Sequence, residues 1–281
     1  MVATPGKKQS ISVDTMKINC KIATALVAGA AIGGVALVMT APASAADLKV
    51  ISNGAVRGVI GGMIDDYSRK TGHKFQFTFG ATGLLRNAIG SGQPADLIIT
   101  TARLITELEK TGKLTPGSRV DLGRVGLGVV VRAGTPLPDI STPEAVKQAL
   151  INAKAIAYVD PALDASSVLQ LLKFTDAMGI KDQVIRKGVH GTSSNDAVTK
   201  LTEGKADIAV VLISEIHYPQ SNKDAVLVGP LPEAIQVWIV FAAVIPASSN
   251  DPTTARAFIA ALTSPDMHKL CTDYGFEQAA K

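Results

Sequence analysis

The apolar positions of Leu48-Lys49-Val50-Ile51-Ser52, a short run that ends at a turn, predict a strand. After the turn Asn53-Gly54-Ala55 the pattern changes. Val56, Val59, Ile60, Met63, Ile64 and Tyr67 recur at spacings of three and four, so a helix follows, closed by Gly72. Phe75, Phe77 and Phe79 recur with a period of two, a second strand. A turn at Gly80-Ala81-Thr82-Gly83 leads into a short helical pattern over 84–89, and Asp96-Leu97-Ile98-Ile99-Thr100 is apolar enough for a strand buried on both faces. This β-α-β-α-β order predicts a mostly parallel sheet covered by helices.

A long apolar stretch over 125–132 runs into Ala133-Gly134-Thr135-Pro136 and is expected to cross to a second lobe. That lobe repeats the α/β alternation. A strand at Ala155-Ile156-Ala157-Tyr158-Val159 ends in Asp160-Pro161. A helix over 166–178 turns Val168, Leu171, Leu172 and Met178 inward and stops at Gly179. A second helix over 195–202 ends at Gly204, and a buried strand covers 206–212. The apolar run 236–245 is the expected return crossing. Helices over 252–262 and 265–274 close the chain, the second capped by Ser264 and stopped by Gly275. No internal repeat is visible.

Ligands of such sheets sit at the C-terminal ends of the strands, here the turns 52–55, 80–83 and 100–103. At Phe79-Gly80-Ala81-Thr82-Gly83 a strand ends in small, hydroxyl-bearing residues just before a helix. Free amide N–H groups and the positive end of a helix dipole then face outward, which suits an anion without any metal. From the second lobe, loops carrying Asp160, Asp164, Ser166, Ser193, Ser194 and Asn195 are expected to face the same cleft. The serines open helices, so capping and ligand contact are both open to them.

The first 45 residues stand apart. Lys17 and Lys21 precede an apolar run over 22–39, and Ala43-Ser44-Ala45 offers a small-x-small cleavage site, so 1–45 is expected to be a cleaved signal peptide that exports the rest to the periplasm, with Met16 as its start. Of 28 basic and 24 acidic residues, four and one lie in that leader, leaving 24 against 23. The basic balance thus belongs mostly to the leader and gives no support to nucleic-acid binding. Cys20 leaves with the leader. Cys271 remains alone, so no intrachain disulfide forms, and a buried structural thiol is expected.

Several stretches together resemble the periplasmic molybdate-binding protein family, the solute receptors of a class of ABC importers. They are Thr71-Gly72-His73-Lys74, Phe79-Gly80-Ala81-Thr82, Gly92-Gln93-Pro94-Ala95-Asp96-Leu97-Ile98-Ile99, Val131-Arg132-Ala133-Gly134-Thr135-Pro136-Leu137, Gly204-Lys205-Ala206-Asp207-Ile208-Ala209, and Leu262-Thr263-Ser264-Pro265 with Tyr274-Gly275-Phe276. The resemblance covers nearly all of the chain after the leader. It implies a two-lobed α/β periplasmic binding fold of type II: two mostly parallel sheets with helices on both faces, joined by two crossover strands and closing on ligand by a hinge. It implies lobe one as 46–128 plus 238–281, and lobe two as 129–237. It also implies a monomer, a small anionic ligand and an importer permease as partners.

The site implied by the resemblance departs from the family pattern. Ala55 stands where a Ser is typical, Gly83 where a second Ser is common, Thr101 where a small Ala offers its N–H, and Leu212 where a Tyr follows the late strand. Thr82 keeps its hydroxyl. The ligand is therefore open between an oxyanion and an organic carboxylate, contacted by Asn53, Gly54, Ala55, Ala81, Thr82, Thr101, Asp164, Ser166, Ser193, Ser194 and Leu212.

Three cations lie near these loops. Arg57, Arg86 and Arg103 carry planar forks matched to carboxylate or phosphate, or else lie on solvated helix surfaces. His190 and Glu215 are the acid/base candidates if the chain is an exported enzyme on this scaffold, of the aconitate-isomerase type, clamping a tricarboxylate through the arginines. His73, His217 and His268 give no compact metal set. GxxxxGK[ST], GxSxG, CxxC and metal-spaced carboxylates are absent, so no cofactor is expected. A receptor for an anion is the main reading, an isomerase the alternative, and a binding protein without a transporter a third.

Overall fold

The computed structural model describes residues 15–16, 45–216 and 223–278. The apolar run 22–39, Ala43, Ser44, Cys20 and His217 lie outside the described residues. Among the described residues no helix is long and apolar enough to cross a membrane.

The first sheet contains β1 (Thr15–Met16), β2 (Asp47–Asn53), β3 (Lys74–Gly80), β4 (Leu97–Thr101) and β5 (Val120–Val125), together with the late strand β11 (Ile239–Val244). Their order is β1-β3-β2-β4-β11-β5. The parallel core predicted from the sequence is β3-β2-β4, with Ser52 opposite Phe79 and Asn53 opposite Gly80. β11 then pairs antiparallel with both β4 and β5, so the sheet is mixed. The reason is topological: β11 comes back from the second lobe and enters in the opposite sense. Thr15 and Met16, expected to lie apart from the fold, pair with Thr78 and Phe77 on the open edge of β3, where unpaired backbone groups accept a neighbour.

The pleat divides the buried side chains between two layers of helix. Leu48, Val50, Leu97 and Ile99 face α1 (Arg57–Thr71) and the terminal helices α9 (Pro252–Leu262) and α10 (Pro265–Asp273). Ile51 and Ile98 face α2 (Thr82–Gly90) and α3 (Ala102–Glu109). α1 buries Val59, Ile60 and Ile64, each stabilising by about 1.5–3 kcal/mol. It ends at Gly72, whose φ of 75° lets its N–H reach the Ser68 carbonyl. Aromatics are few, but Phe75 packs against Phe258 with ring centroids 4.6 Å apart and Tyr67 lies edge-on to both. Ser264 stands at the N-cap of α10 without a side-chain capping bond, Pro265 filling the first turn instead. Cys271 is half-buried, and burial pushes its thiol pKa up.

The second sheet is built from β6 (Leu127–Arg132), β7 (Ile156–Val159), β8 (Gly188–Gly191), β9 (Ile208–Leu212) and β10 (Ala225–Pro230), in the order β10-β6-β9-β7-β8. β8-β7-β9 is parallel and the β6 side antiparallel, the same division as in the first sheet. α4 (Pro143–Asn152), α5 (Ser166–Ala177) and α6 (Lys181–Arg186) cover one face, and α7 (Ser194–Thr202) covers the other. The short α8 (Ile213–Ile216) follows β9 directly.

The chain passes between the sheets at Gly126, where the stretch expected as one long strand divides into β5 and β6. The return runs from Leu231 to Trp238. Gln236 binds the outgoing segment through both ends of its amide: its Oε1 accepts the Leu127 N–H at 2.9 Å and its Nε2 donates to the Leu127 carbonyl at 2.9 Å. A Cβ on Gly126 would come within 2.8 Å of that amide nitrogen and push the Gln236 amide off Leu127.

Candidate functional site

Between the two sheets lies a cavity of about 370 Å³, lined by the C-terminal ends of strands from both. From the first sheet, β2 ends at Asn53 and passes through a single 3-10 turn, Gly54–Val56, into α1. Asn53 is a tie as well as a lining residue. Its Nδ2 donates to the Gly80 carbonyl at 3.1 Å and to the Thr82 Oγ1 at 3.5 Å, and its Oδ1 accepts the Thr100 hydroxyl at 2.6 Å. Three strand ends are thereby locked together. Ala81 stands in the N-cap position of α2 with extended backbone and no side-chain cap, so the first amides of α2 have no intrahelical partner. Thr82 follows, 1% exposed. Thr101 lines the cavity and caps α3, its Oγ1 accepting the Leu104 N–H at 3.4 Å.

Arg57 begins α1 and lines the cavity with its guanidinium 4.3 Å from the centre of the Phe79 ring, within cation–π range. It makes no ion pair at close range among the described residues. The aromatic face holds the cation in place and leaves its N–H fork available.

From the second sheet, β7 and β8 end side by side, Val159 opposite Gly191. Ala165 is the N-cap of α5 and makes no side-chain cap, so Ser166 and Ser167 present the first turn of that helix to the cavity. Ser193 caps α7 by accepting the Asp196 N–H at 3.1 Å. Asp196 is itself held by the Thr192 N–H at 2.8 Å and by Lys200 at 2.9 Å. Opposing effects act on its pKa: burial raises it, but these partners outweigh burial and hold it below the usual carboxylate value. Ser194 accepts the Leu212 N–H at 3.4 Å, binding α7 to the end of β9.

Glu215, on α8, reaches the first turn of α7. Its Oε2 accepts the Asn195 N–H at 3.3 Å, with Ser194 donating as well. It also faces Gly54 across the cleft, where an added Cβ would lie 3.5 Å from Oε2. Desolvation pushes the Glu215 pKa up, opposed by the Asn195 and Ser194 hydrogen bonds and by the charge of Arg57.

The sequence-derived candidates therefore divide. Asn53, Gly54, Ala55, Arg57, Ala81, Thr82, Thr101, Ser166, Ser193, Ser194, Leu212 and Glu215 line one cavity. Arg86, Arg103, Asp164 and His190 do not. Arg86 and Arg103 lie one turn or less into α2 and α3 but point to the rim, where both pair with Glu107 and with Asp164 of the other lobe. Arg86 meets Glu107 at 3.0 Å; Arg103 meets Glu107 at 3.2 Å and Asp164 at 3.5 Å. Asp164 has a φ of 47°, the one non-glycine residue with positive φ among those described. Beside it Gly83 packs so closely that any Cβ would overlap the Leu163 carbonyl oxygen. His190 sits on the other face of β8, its Nε2 3.3 Å from the Tyr158 hydroxyl, because the pleat turns it toward the α6 side.

Sequence reasoning missed Ser214. Ser214 lines the cavity, is 2% exposed, and its Oγ has no hydrogen-bond partner among the described residues. A four-residue helix is too short to show a period. The only available signal was a polar pair, Ser214-Glu215, directly after an apolar strand.

The sequence profile of the bacterial extracellular solute-binding proteins matches residues 48–277. An aconitate isomerase from Pseudomonas sp. is 28% identical over 235 residues, covering 82% of this chain and 87% of that protein. The molybdate-binding protein ModA of Azotobacter vinelandii is 25% identical over 239 residues, covering 83% and 91%. The solved periplasmic molybdate-binding protein of Azotobacter vinelandii superposes with a TM-score of 0.69 at 20% identity, over 83% of this chain and all of that one, which shows a shared fold. Two mixed sheets facing one cavity and a profile spanning both lobes lead to one assignment: the chain belongs to the family of bacterial extracellular solute-binding proteins.

Proposed function

We propose that the protein captures a small organic anion between its lobes in the periplasm and presents it, as a monomer, to an ABC importer. The observation that carries this reading is convergence. The N-termini of α1, α2, α3 and α5 and the Arg57 guanidinium all border one cavity. Size favours an organic ligand over a bare tetrahedral oxyanion, since 370 Å³ corresponds to about a dozen water-sized volumes. The ligand contacts in this reading are the amides of the Gly54–Val56 turn and of the first turn of α2, the Thr82, Thr101, Ser166 and Ser193 side chains, and Arg57, with lobes of 46–128 plus 238–281 and 129–237; Ser194 is held by Leu212 and Glu215 instead.

A thermal-shift screen across carboxylates, phosphates and inorganic oxyanions tests it. Ligand at 100 times its Kd stabilises by about 2.7 kcal/mol, which raises Tm by roughly 5–10 °C for a chain of this size. A screen in which no anion moves Tm at millimolar concentration overturns it.

A second reading, an isomerase, is favoured by Glu215: a carboxylate with a raised pKa in the cavity is a general-base candidate, and a relative of 28% identity is an aconitate isomerase. In this reading Glu215 replaces His190 as the proton-transfer group. An ultraviolet assay following cis- and trans-aconitate decides it. Turnover abolished by Glu215→Gln supports the isomerase; binding without turnover removes it.

A further inference from the structure

The cavity has two chemically different walls. One carries Arg57 and the first turns of α1 and α2, all of them donors. On the other, the N-terminus of α7 would be one more seat for an anion, but the protein's own Glu215 fills it, accepting from Asn195 and Ser194. Ser214 adds a buried hydroxyl with no partner among the described residues. An ionised carboxylate only accepts hydrogen bonds. A ligand oxygen that brings lone pairs alone against Glu215 is repelled, whereas one that brings an O–H is held.

We propose that Glu215 and Ser214 select the ligand: it is a hydroxycarboxylate, seated with a carboxylate on Arg57 and the α1 and α2 amides and with its hydroxyl donating to Glu215 and accepting from Ser214. This rests on the reading of the cavity as an anion site and narrows it. Fully deprotonated oxyanions such as sulfate and molybdate are turned away because they offer no proton to the carboxylate. Specificity is then repulsion of the wrong ligand as much as attraction of the right one. The pairing also explains why the Tyr and Ser typical of the resembled family need not be present at Leu212 and Ala55: the discriminating contacts lie on α8.

The test is titration calorimetry on the exported chain with ligand pairs that differ by one hydroxyl, citrate against tricarballylate and malate against succinate, with sulfate and cis-aconitate as further probes. The hydroxylated member of at least one pair binds about tenfold or more tightly than its partner, as expected for a hydrogen bond to a charged group. Glu215→Gln brings that ratio to within about threefold of unity and raises affinity for sulfate, because an amide also donates. Ser214→Ala lowers affinity for the hydroxylated member alone. A fold defect would weaken both members equally, so the ratio isolates selection from stability. Equal binding of both members of each pair by the wild-type chain overturns the inference and leaves anion capture standing. Absence of binding by every probe overturns both.

Discussion

Two groupings of arginine and carboxylate span the same cleft, and they differ in what surrounds them. At the rim, Arg86 and Arg103 meet Asp164 and Glu107, with side chains 34%, 42%, 35% and 42% exposed. Inside, Arg57 lies on Phe79 and Glu215 lies against α7, both lining the cavity. The rim charges are mutually satisfied and screened by water and salt, so each pair contributes about 0–1 kcal/mol. Inside, desolvation dominates the surroundings of Glu215, so the fields of the groups that face it are stronger. One grouping tethers the lobes to each other. The other leaves its donors and acceptors directed at the space between them. Proximity of a cation to a strand end is therefore a poor guide to its role, and the identity of its partner is a better one.

Four experiments break or sharpen this contrast. Arg57→Ala is expected to have the largest effect, a loss of about 100-fold or more in affinity for the anion identified by the screen, because truncation leaves ligand charge unpaired in a desolvated site. Calorimetry checks it, and affinity within about threefold of wild type would show that the interior cation is no anchor. Gly83→Val comes next. Its side chain collides with the Leu163 backbone, so the lobes cannot approach as they do here. The expected result is about 10- to 100-fold weaker binding with an unchanged circular dichroism spectrum and a larger radius of gyration in small-angle scattering, on the scale of a disrupted near-contact geometry.

Glu215→Gln has a smaller, pH-dependent effect on stability. The folded-state pKa of Glu215 is raised above its unfolded value, so its contribution is fully present below the unfolded pKa and is lost as pH rises through the folded pKa. The variant lacks that loss. Its Tm relative to wild type should therefore climb as pH rises from about 4, the unfolded carboxylate range, and then level off. A difference independent of pH would contradict the raised pKa. Asp164→Asn should do least: affinity changes by less than about fivefold, and less still in high salt, since exposed pairs are screened. A loss as large as that of Arg57→Ala would erase the distinction between rim and interior.

Much of the scaffold was legible because its signals are local. The alternation at Phe75–Phe79, the three- and four-residue spacing up to Tyr67, and the stop at Gly72 each reflect one element burying one face. The antiparallel halves of the sheets were not legible, since direction is set by where the chain re-enters after crossing. The continuous apolar run at 125–132 hid a break at Gly126, because both sides of the break are buried strand. α4 was not read from the sequence: Thr142 caps it by accepting the Ala145 N–H at 3.1 Å, but its apolar stripe, with Val146 and Leu150 buried, is too narrow to stand out. In the site, the small residues of the loops were legible because close backbone approach demands them. The fates of Arg86, Arg103 and His190 were not, because they depend on helix phase and pleat, which decide between rim, far face and interior.

The Gln236 amide touches both stretches that connect the lobes, occupying the N–H and C=O of Leu127 as a neighbouring strand would. The two connectors consequently behave as one strap with a rivet through it. Sliding one connector past the other would break both hydrogen bonds at once, so the rivet resists shear between the two crossings.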